Sequence, residues 1–214
     1  MSFFQNTCKP EGLAGKMMVK MMNNGHAQMA DWGFSHIEAN EDASILDIGC
    51  GGGANIAVWL KKCPNGHVTG LDYSEVSVHS SRNKNAVAIE EDRCEIFQGN
   101  VLQMPFQNDS YDCISAFETI YFWPEIEKSC KEVYRVLRPG GRFMICNESD
   151  GTNPADEKWT EKIEGMKIYD ENQVKSILNQ AGFINIKVDH TKKHWMCLIA
   201  EKSSVVSHRS SMKG

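Results

Sequence analysis

The 214-residue chain reads as an α/β protein with a doubly wound, mostly parallel, seven-stranded sheet, a terminal antiparallel strand and an N-terminal helical cap. Three observations predict it. Short apolar runs alternate with stretches of helical spacing from residue 45 to residue 182, and strands joined through helices have to lie parallel, with helices on both faces. The last two runs, 183–189 and 195–201, follow each other with no helix between them, so one of them turns back antiparallel. A glycine loop, Gly49-Cys50-Gly51-Gly52-Gly53, breaks the chain directly after the first run, at the strand end where sheets of this class take their ligands.

The elements follow in order. Residues 1–16 contain Pro10, Gly12 and Gly15 and should form an irregular arm. Met17, Met18, Met21, Met22 and Met29 then recur at helical spacing, with Gly25 a weak point, which predicts a helical cap whose methionines fill core. Residues 1–42 are assigned to this arm and cap, 43–202 to the binding domain, and 203–214, rich in serine, to a disordered tail. Ile45 to Ile48 is the first strand, and Asn55 to Leu60 opens the first helix. Val68 to Asp72 is the second strand. Ser74 is a natural N-cap for a helix reaching Glu91, and Cys94–Gln98 and Tyr111–Phe117 are the third and fourth strands. Pro124 suits the start of a helix to about Leu137. Arg138-Pro139-Gly140-Gly141 stops that helix and turns into strand 142–147. Residues 149–168 are polar, with Gly151, Pro154 and Gly165, and should be a lid or loop. Asp170 caps the last helix with Gln173 at the reciprocal capping-box position, and Gly182 ends it.

Composition narrows the function classes. A net charge of −5 and a pI near 5.8 argue against a broad phosphate-binding surface, so no nucleic-acid partner is expected. No apolar run approaches the ~20 residues of a membrane span, and the N-terminus lacks the pattern of a signal peptide. Eight cysteines with no CxxC pair fit buried, reduced thiols. A soluble, cytoplasmic protein without a membrane partner is expected. There is no HExxH and no Cys/His cluster, so no metal is expected. His67, His79, His190 and His208 sit in polar stretches and should be solvated.

The glycine loop carries the chemistry. Gly49, Gly51 and Gly53 lack a Cβ, so the backbone can take positive φ and a ligand can lie against the main chain at the positive end of the next helix. Asp72 ends the second strand, where a carboxylate can take both hydroxyls of a ribose. A dinucleotide and S-adenosylmethionine fit these features equally. Asp47 breaks the tie, because a carboxylate beside the glycines suits a ligand bearing an ammonium and a sulfonium rather than a pyrophosphate.

The ordered series Ile45 to Asn55, Gly70 to Ser74, Gly99 to Phe106 and Arg135 to Phe143 resembles the motif series of class I S-adenosylmethionine-dependent methyltransferases, the methyltransferase type 11 branch in particular. It covers roughly residues 43–202. The resemblance implies a Rossmann-like fold and transfer of a methyl group to a small-molecule acceptor by in-line displacement, with release of S-adenosylhomocysteine. It places Asp47, Gly49, Gly51, Gly53, Asp72, Tyr73, Asn100, Val101 and Phe117 at the cofactor. Asn100 departs from the family, which usually has an Asp there to accept from the adenine amino group; an amide oxygen can still accept, without charge assistance. The acceptor side is expected at His26, Glu118 and Tyr121, with Trp123 and Glu148 near them. Two other classes compete. A nonenzymatic cofactor-binding or regulatory protein would keep the same fold. An NAD-dependent oxidoreductase would need a proton donor such as a Tyr-x-x-x-Lys pair, and no tyrosine here has lysine four residues on.

Overall fold

A computed structural model describes Gly12 and residues 26–204. Apart from Gly12, the arm lies outside the described residues, as do the methionines at 17–22 and most of the tail. The elements are α1 (Ala27–Phe34), β1 (Ser44–Ile48), α2 (Ala54–Lys62), β2 (His67–Asp72), α3 (Glu75–Lys84), α4 (Ala86–Glu90), β3 (Cys94–Gln98), β4 (Tyr111–Phe117), α5 (Ile126–Val136), β5 (Leu137–Asn147), α6 (Glu157–Lys162), α7 (Glu171–Ala181), β6 (Phe183–His190) and β7 (Met196–Lys202).

The strands form one seven-stranded sheet in the order β3-β2-β1-β4-β5-β7-β6. The pairs from β3 to β5 are parallel, and β7 lies antiparallel to both β5 and β6. The antiparallel strand is thus last in the chain but second from the sheet edge. The chain leaves β1 toward β2 and β3 on one side and returns to β4 on the other. The carboxyl ends of β1 and β4 therefore flank the crevice in which such sheets bind ligands.

Each face of the sheet carries its own core. On one face α5 and α7 bring Val133 and Leu178 against Phe143 and Phe183 of β5 and β6. On the other, Ile56 and Trp59 of α2 and Met29 and Phe34 of α1 pack over Ile45, Phe117 and Met144. Trp59 is fully buried and its Nε1–H donates to Ser115 Oγ at 2.9 Å. A buried indole nitrogen needs such an acceptor.

Two boundaries differ from the sequence expectation. The helix after Ser74 divides at Asn85, whose buried amide donates to Gly53 O at 3.2 Å and Ser81 O at 3.0 Å. That amide ties the glycine loop to α3, and the helix resumes only as α4. β5 begins at Leu137 rather than Arg142: Leu137 pairs with Tyr111 before the ladder shifts and resumes at Cys113 and Arg142. Arg138 to Gly141 are thus an irregular stretch of the strand. The caps hold as expected. Ser74 Oγ accepts from Ser77 N–H at 3.3 Å, and Asp170 and Gln173 form the reciprocal capping box, each bond 2.9 Å. The stretch 149–168 contains a 3-10 turn, Pro154–Asp156, followed by α6. Among the described residues no helix is long and apolar enough to cross a membrane.

Candidate active site

A cavity of about 410 Å³ opens at the carboxyl ends of β1, β2 and β4 and is closed on one side by α1. One end is made chiefly of backbone. Gly49 N–H and Cys50 N–H both donate to Leu71 O, at 2.7 and 3.1 Å, which fastens the loop to β2. Asp72, 7% exposed, accepts from Gly51 N–H at 2.9 Å on Oδ2 and from Ser74 N–H at 2.8 Å on Oδ1. Burial raises its carboxyl above the usual range, and the amides of Ser74, Gly51 and Tyr73 work against that rise. The carboxylate is held rigidly at the cavity wall, and each oxygen keeps acceptor capacity.

The three glycines expected at a cofactor are not equivalent. A Cβ on Gly51, at φ +52°, would meet nothing within 4 Å, so this position opens onto the cavity. A Cβ on Gly49 would stand 2.3 Å from Thr119 Cγ2, and one on Gly53 would stand 2.4 Å from Asn85 Nδ2 and Ser81 Oγ. Gly49 still lines the cavity; Gly53 does not. It is the N-cap of α2, and it lacks a side chain because α3 packs against it.

Asp47, expected to face an ammonium, does not line the cavity. It is 1% exposed, with Oδ1 accepting from Ser115 Oγ at 2.7 Å and Oδ2 buried without a protein partner among the described residues. Burial pushes its carboxyl up to about 7. Its place inside the strand, two residues before the loop turns, holds it beneath the site. Tyr73, Asn100, Val101 and Phe117 do line the cavity. The Asn100 Oδ1 accepts from Leu102 N–H at 2.9 Å, so the atom expected to take an adenine amino group already closes a local turn.

The other end is made of titratable side chains. Glu118 follows β4 directly, with φ +59° and its N–H donating to Cys146 O at 2.9 Å. Tyr121 donates its hydroxyl to Glu118 Oε1 at 3.2 Å, and Glu148 N–H donates to the same oxygen. The Oε2 atom faces His26, whose Nδ1 is 3.9 Å from it and 3.2 Å from Glu148 Oε1. Burial drives the Glu118 carboxyl up to about 7, against the pull of His26 and of Glu148 N–H. Burial would lower His26, but the two carboxylates together hold it above its ordinary value.

The structure sorts the residues expected on the acceptor side. His26, Glu118 and Trp123 line the cavity; Tyr121 and Glu148 do not. Tyr121 is buried and accepts from Ser149 N–H at 3.0 Å while donating to Glu118, which makes it a holder of Glu118. Burial, and then the Glu118 charge, push its phenol well above the usual range. Trp123 also stacks on Phe143, ring centroids 6.2 Å apart. Thr119 was not foreseen; it fills the space under Gly49 and its hydroxyl donates to Ile48 O at 3.3 Å. Although the sequence suggested no metal site, His26, Glu118 and Glu148 bring ligand atoms within 4.8 Å of one another and could hold an ion. His190, expected in solvent, is exposed and also lies 2.8 Å from Glu171 and 3.6 Å from Asp150, because β6 brings it beside the start of α7.

Residues 46–145 match the family model described as methyltransferase domain. The chain is 30% identical over 133 residues to 24-methylenesterol C-methyltransferase 2 of Arabidopsis thaliana, spanning 61% of this chain and 37% of that protein. The match thus covers well under half of that relative's length. Among solved structures, a chain of the complex with the Haloferax volcanii Trm112 methyltransferase activator superposes with a TM-score of 0.83 at 18% identity, covering 91% of this chain and 97% of that one. A SAM-dependent methyltransferase from Aquifex aeolicus gives a TM-score of 0.72 at 20% identity, covering 86% and 97%. At those identities the structural likeness concerns the fold. With the ordered motifs, the strand order and the family match in agreement, residues 46–145 form a methyltransferase domain of the class I S-adenosylmethionine-dependent kind.

Proposed function

We propose that this protein transfers the methyl group of S-adenosylmethionine to a small-molecule acceptor by in-line displacement, releasing S-adenosylhomocysteine. The observation that carries the reading is one cavity lined by two unlike groups: the open face of Gly51 beside the fixed Asp72 carboxylate, and Glu118 with His26. Asp72 would take the ribose hydroxyls on its remaining lone pairs, and the Gly51 backbone would lie directly against the cofactor. Tyr73, Val101 and Phe117 would supply apolar walls, with Asn100 at the adenine end.

Methyl transfer from a sulfonium has a good leaving group, so the protein mainly has to align two reactants and keep water out. Alignment of this kind can supply on the order of 7–11 kcal/mol of the barrier. Glu118, with its carboxyl near 7, can take a proton from the acceptor; a positioned base adds about 10²–10⁴ in rate. His26 and Glu148 would tune its charge, and Tyr121 would hold it in place.

An acceptor reached inside a cavity of about 410 Å³ is a small molecule or the end of one. The net charge of −5 fits neither a nucleic-acid substrate nor an anionic membrane surface. The seven described cysteines are free and buried, which suits a reducing compartment such as the cytoplasm.

The test is a screen of metabolite extracts with methyl-labelled S-adenosylmethionine, following S-adenosylhomocysteine release and the fate of the label. Label in a small product with equal release of S-adenosylhomocysteine is expected. Cofactor binding with no turnover against any fraction would favour a regulatory binding protein. Label confined to nucleic acid or protein would overturn the small-molecule reading.

A further inference from the structure

We propose that the acceptor is an amine, a nucleophile that is neutral when it attacks and cationic when it leaves. This rests on the methyl-transfer reading above and names its substrate class. Two carboxyl groups, Glu118 and Glu148, converge on a single imidazole at 3.9 and 3.2 Å, so once Glu118 is ionised the acceptor end carries one negative charge in excess even with His26 protonated. Among the described residues lining the cavity there is no lysine or arginine. The Glu118 carboxylate is fixed in this role: Tyr121 and Glu148 N–H occupy Oε1, which leaves Oε2 on the side of His26.

Such a site discriminates by what happens to charge during transfer. An oxygen or sulfur acceptor that must first become an anion would place that anion against Glu118, where like charges repel and low dielectric strengthens the repulsion. An amine does the opposite. The ammonium form is drawn to Glu118 Oε2, releases one proton to solvent, and the freed nitrogen lone pair attacks the methyl carbon while Glu118 remains a carboxylate. The carbon–sulfur bond breaks with its electron pair going to sulfur, so the positive charge passes from sulfur to nitrogen and the product is an N-methylammonium beside S-adenosylhomocysteine. Glu118 stands where the new cation forms. Phe122 and Trp123 line the same cavity, and aromatic faces attract alkylammonium groups.

The test uses the full chain with methyl-labelled S-adenosylmethionine and a panel of aliphatic and aromatic amines set against matched alcohols, phenols, thiols, carboxylic acids and alkenes. Label is expected in amines, with products that bind a cation-exchange resin in acid. Glu118→Gln should lower amine turnover at least 100-fold while S-adenosylhomocysteine affinity, by calorimetry, stays within about threefold. Label in oxygen, sulfur or carbon acceptors with the amines unlabelled would overturn the amine assignment and leave methyl transfer standing. Full amine turnover in Glu118→Gln would overturn the role given to the acidic end. No label in any class, with S-adenosylhomocysteine still bound, would remove the methyl-transfer reading along with it.

Discussion

The two ends of the cavity are built from different materials. At the end proposed for the cofactor the groups on offer are main-chain amides and one carboxylate that they hold, Asp72, bonded to Gly51 N–H and Ser74 N–H at 2.9 and 2.8 Å. At the end proposed for the acceptor they are side chains, Glu118, His26 and Glu148, which follow β4, precede α1 and follow β5 and meet around the imidazole. A backbone-made surface is fixed by the fold and resists change of sequence. A side-chain surface can be rewritten one residue at a time. Generality of cofactor and variety of acceptor within one fold follow from that division.

The largest effect should come from Gly51→Val: the side chain would enter the open space at φ +52°, and S-adenosylhomocysteine binding should vanish while circular dichroism reports a folded chain. Retained binding would mean that the loop does not approach the ligand. Next, Glu118→Gln should cut turnover by about 10²–10⁴. The wild-type rate should rise as pH passes about 7, where Glu118 becomes the carboxylate, and this limb of the profile should disappear in the variant. A pH limb that survives the substitution would assign the base elsewhere.

A smaller effect tests the holder. Tyr121→Phe removes the hydroxyl that donates to Glu118 Oε1 and so favours the protonated acid. The limb should move to higher pH, with turnover at pH 7 falling several-fold and cofactor affinity unchanged; a loss of rate with no shift of the limb would point to a different role for Tyr121. The smallest effect concerns Asp47, which the cavity does not use. Its carboxyl stands at about 7 in the folded chain against an ordinary 3.8, so its contribution to stability is fully present below pH 4 and is lost as pH rises toward 7 and beyond. Asp47→Asn should therefore melt higher than wild type at pH 8, by an amount on the order of 1–3 kcal/mol, and lose that advantage near pH 4. A variant that melts lower at pH 8 would give the buried carboxylate a stabilising partner.

Periodicity was enough to read the strands, the caps at Ser74 and Asp170, and the crevice after β1, because each rests on neighbours in sequence. Contacts across the fold were not legible. Asn85 looks like any polar helical residue until its amide meets Gly53 O, 32 residues away. Gly49, Gly51 and Gly53 read alike, yet only at Gly51 does the added Cβ find open space. Tyr121 and Trp123 are two residues apart, and the 3-10 turn Ile120–Phe122 sends one under Glu118 and leaves the other at the cavity wall. Asp47 was placed at the ligand from its position beside the glycines, whereas the strand's alternation and Ser115 hold it within the core.

In the proposed reading Asp72 and the loop amides hold the cofactor while Glu118 serves only the acceptor. Isothermal titration of S-adenosylhomocysteine into wild type, Asp72→Ala and Glu118→Gln tests it most directly. Loss of charge-assisted bonds worth roughly 1.5–3 kcal/mol should weaken binding to Asp72→Ala by about 10- to 150-fold, while Glu118→Gln stays within about threefold of wild type. Unchanged affinity in Asp72→Ala, or a loss in Glu118→Gln as large as the one expected for Asp72, would contradict it.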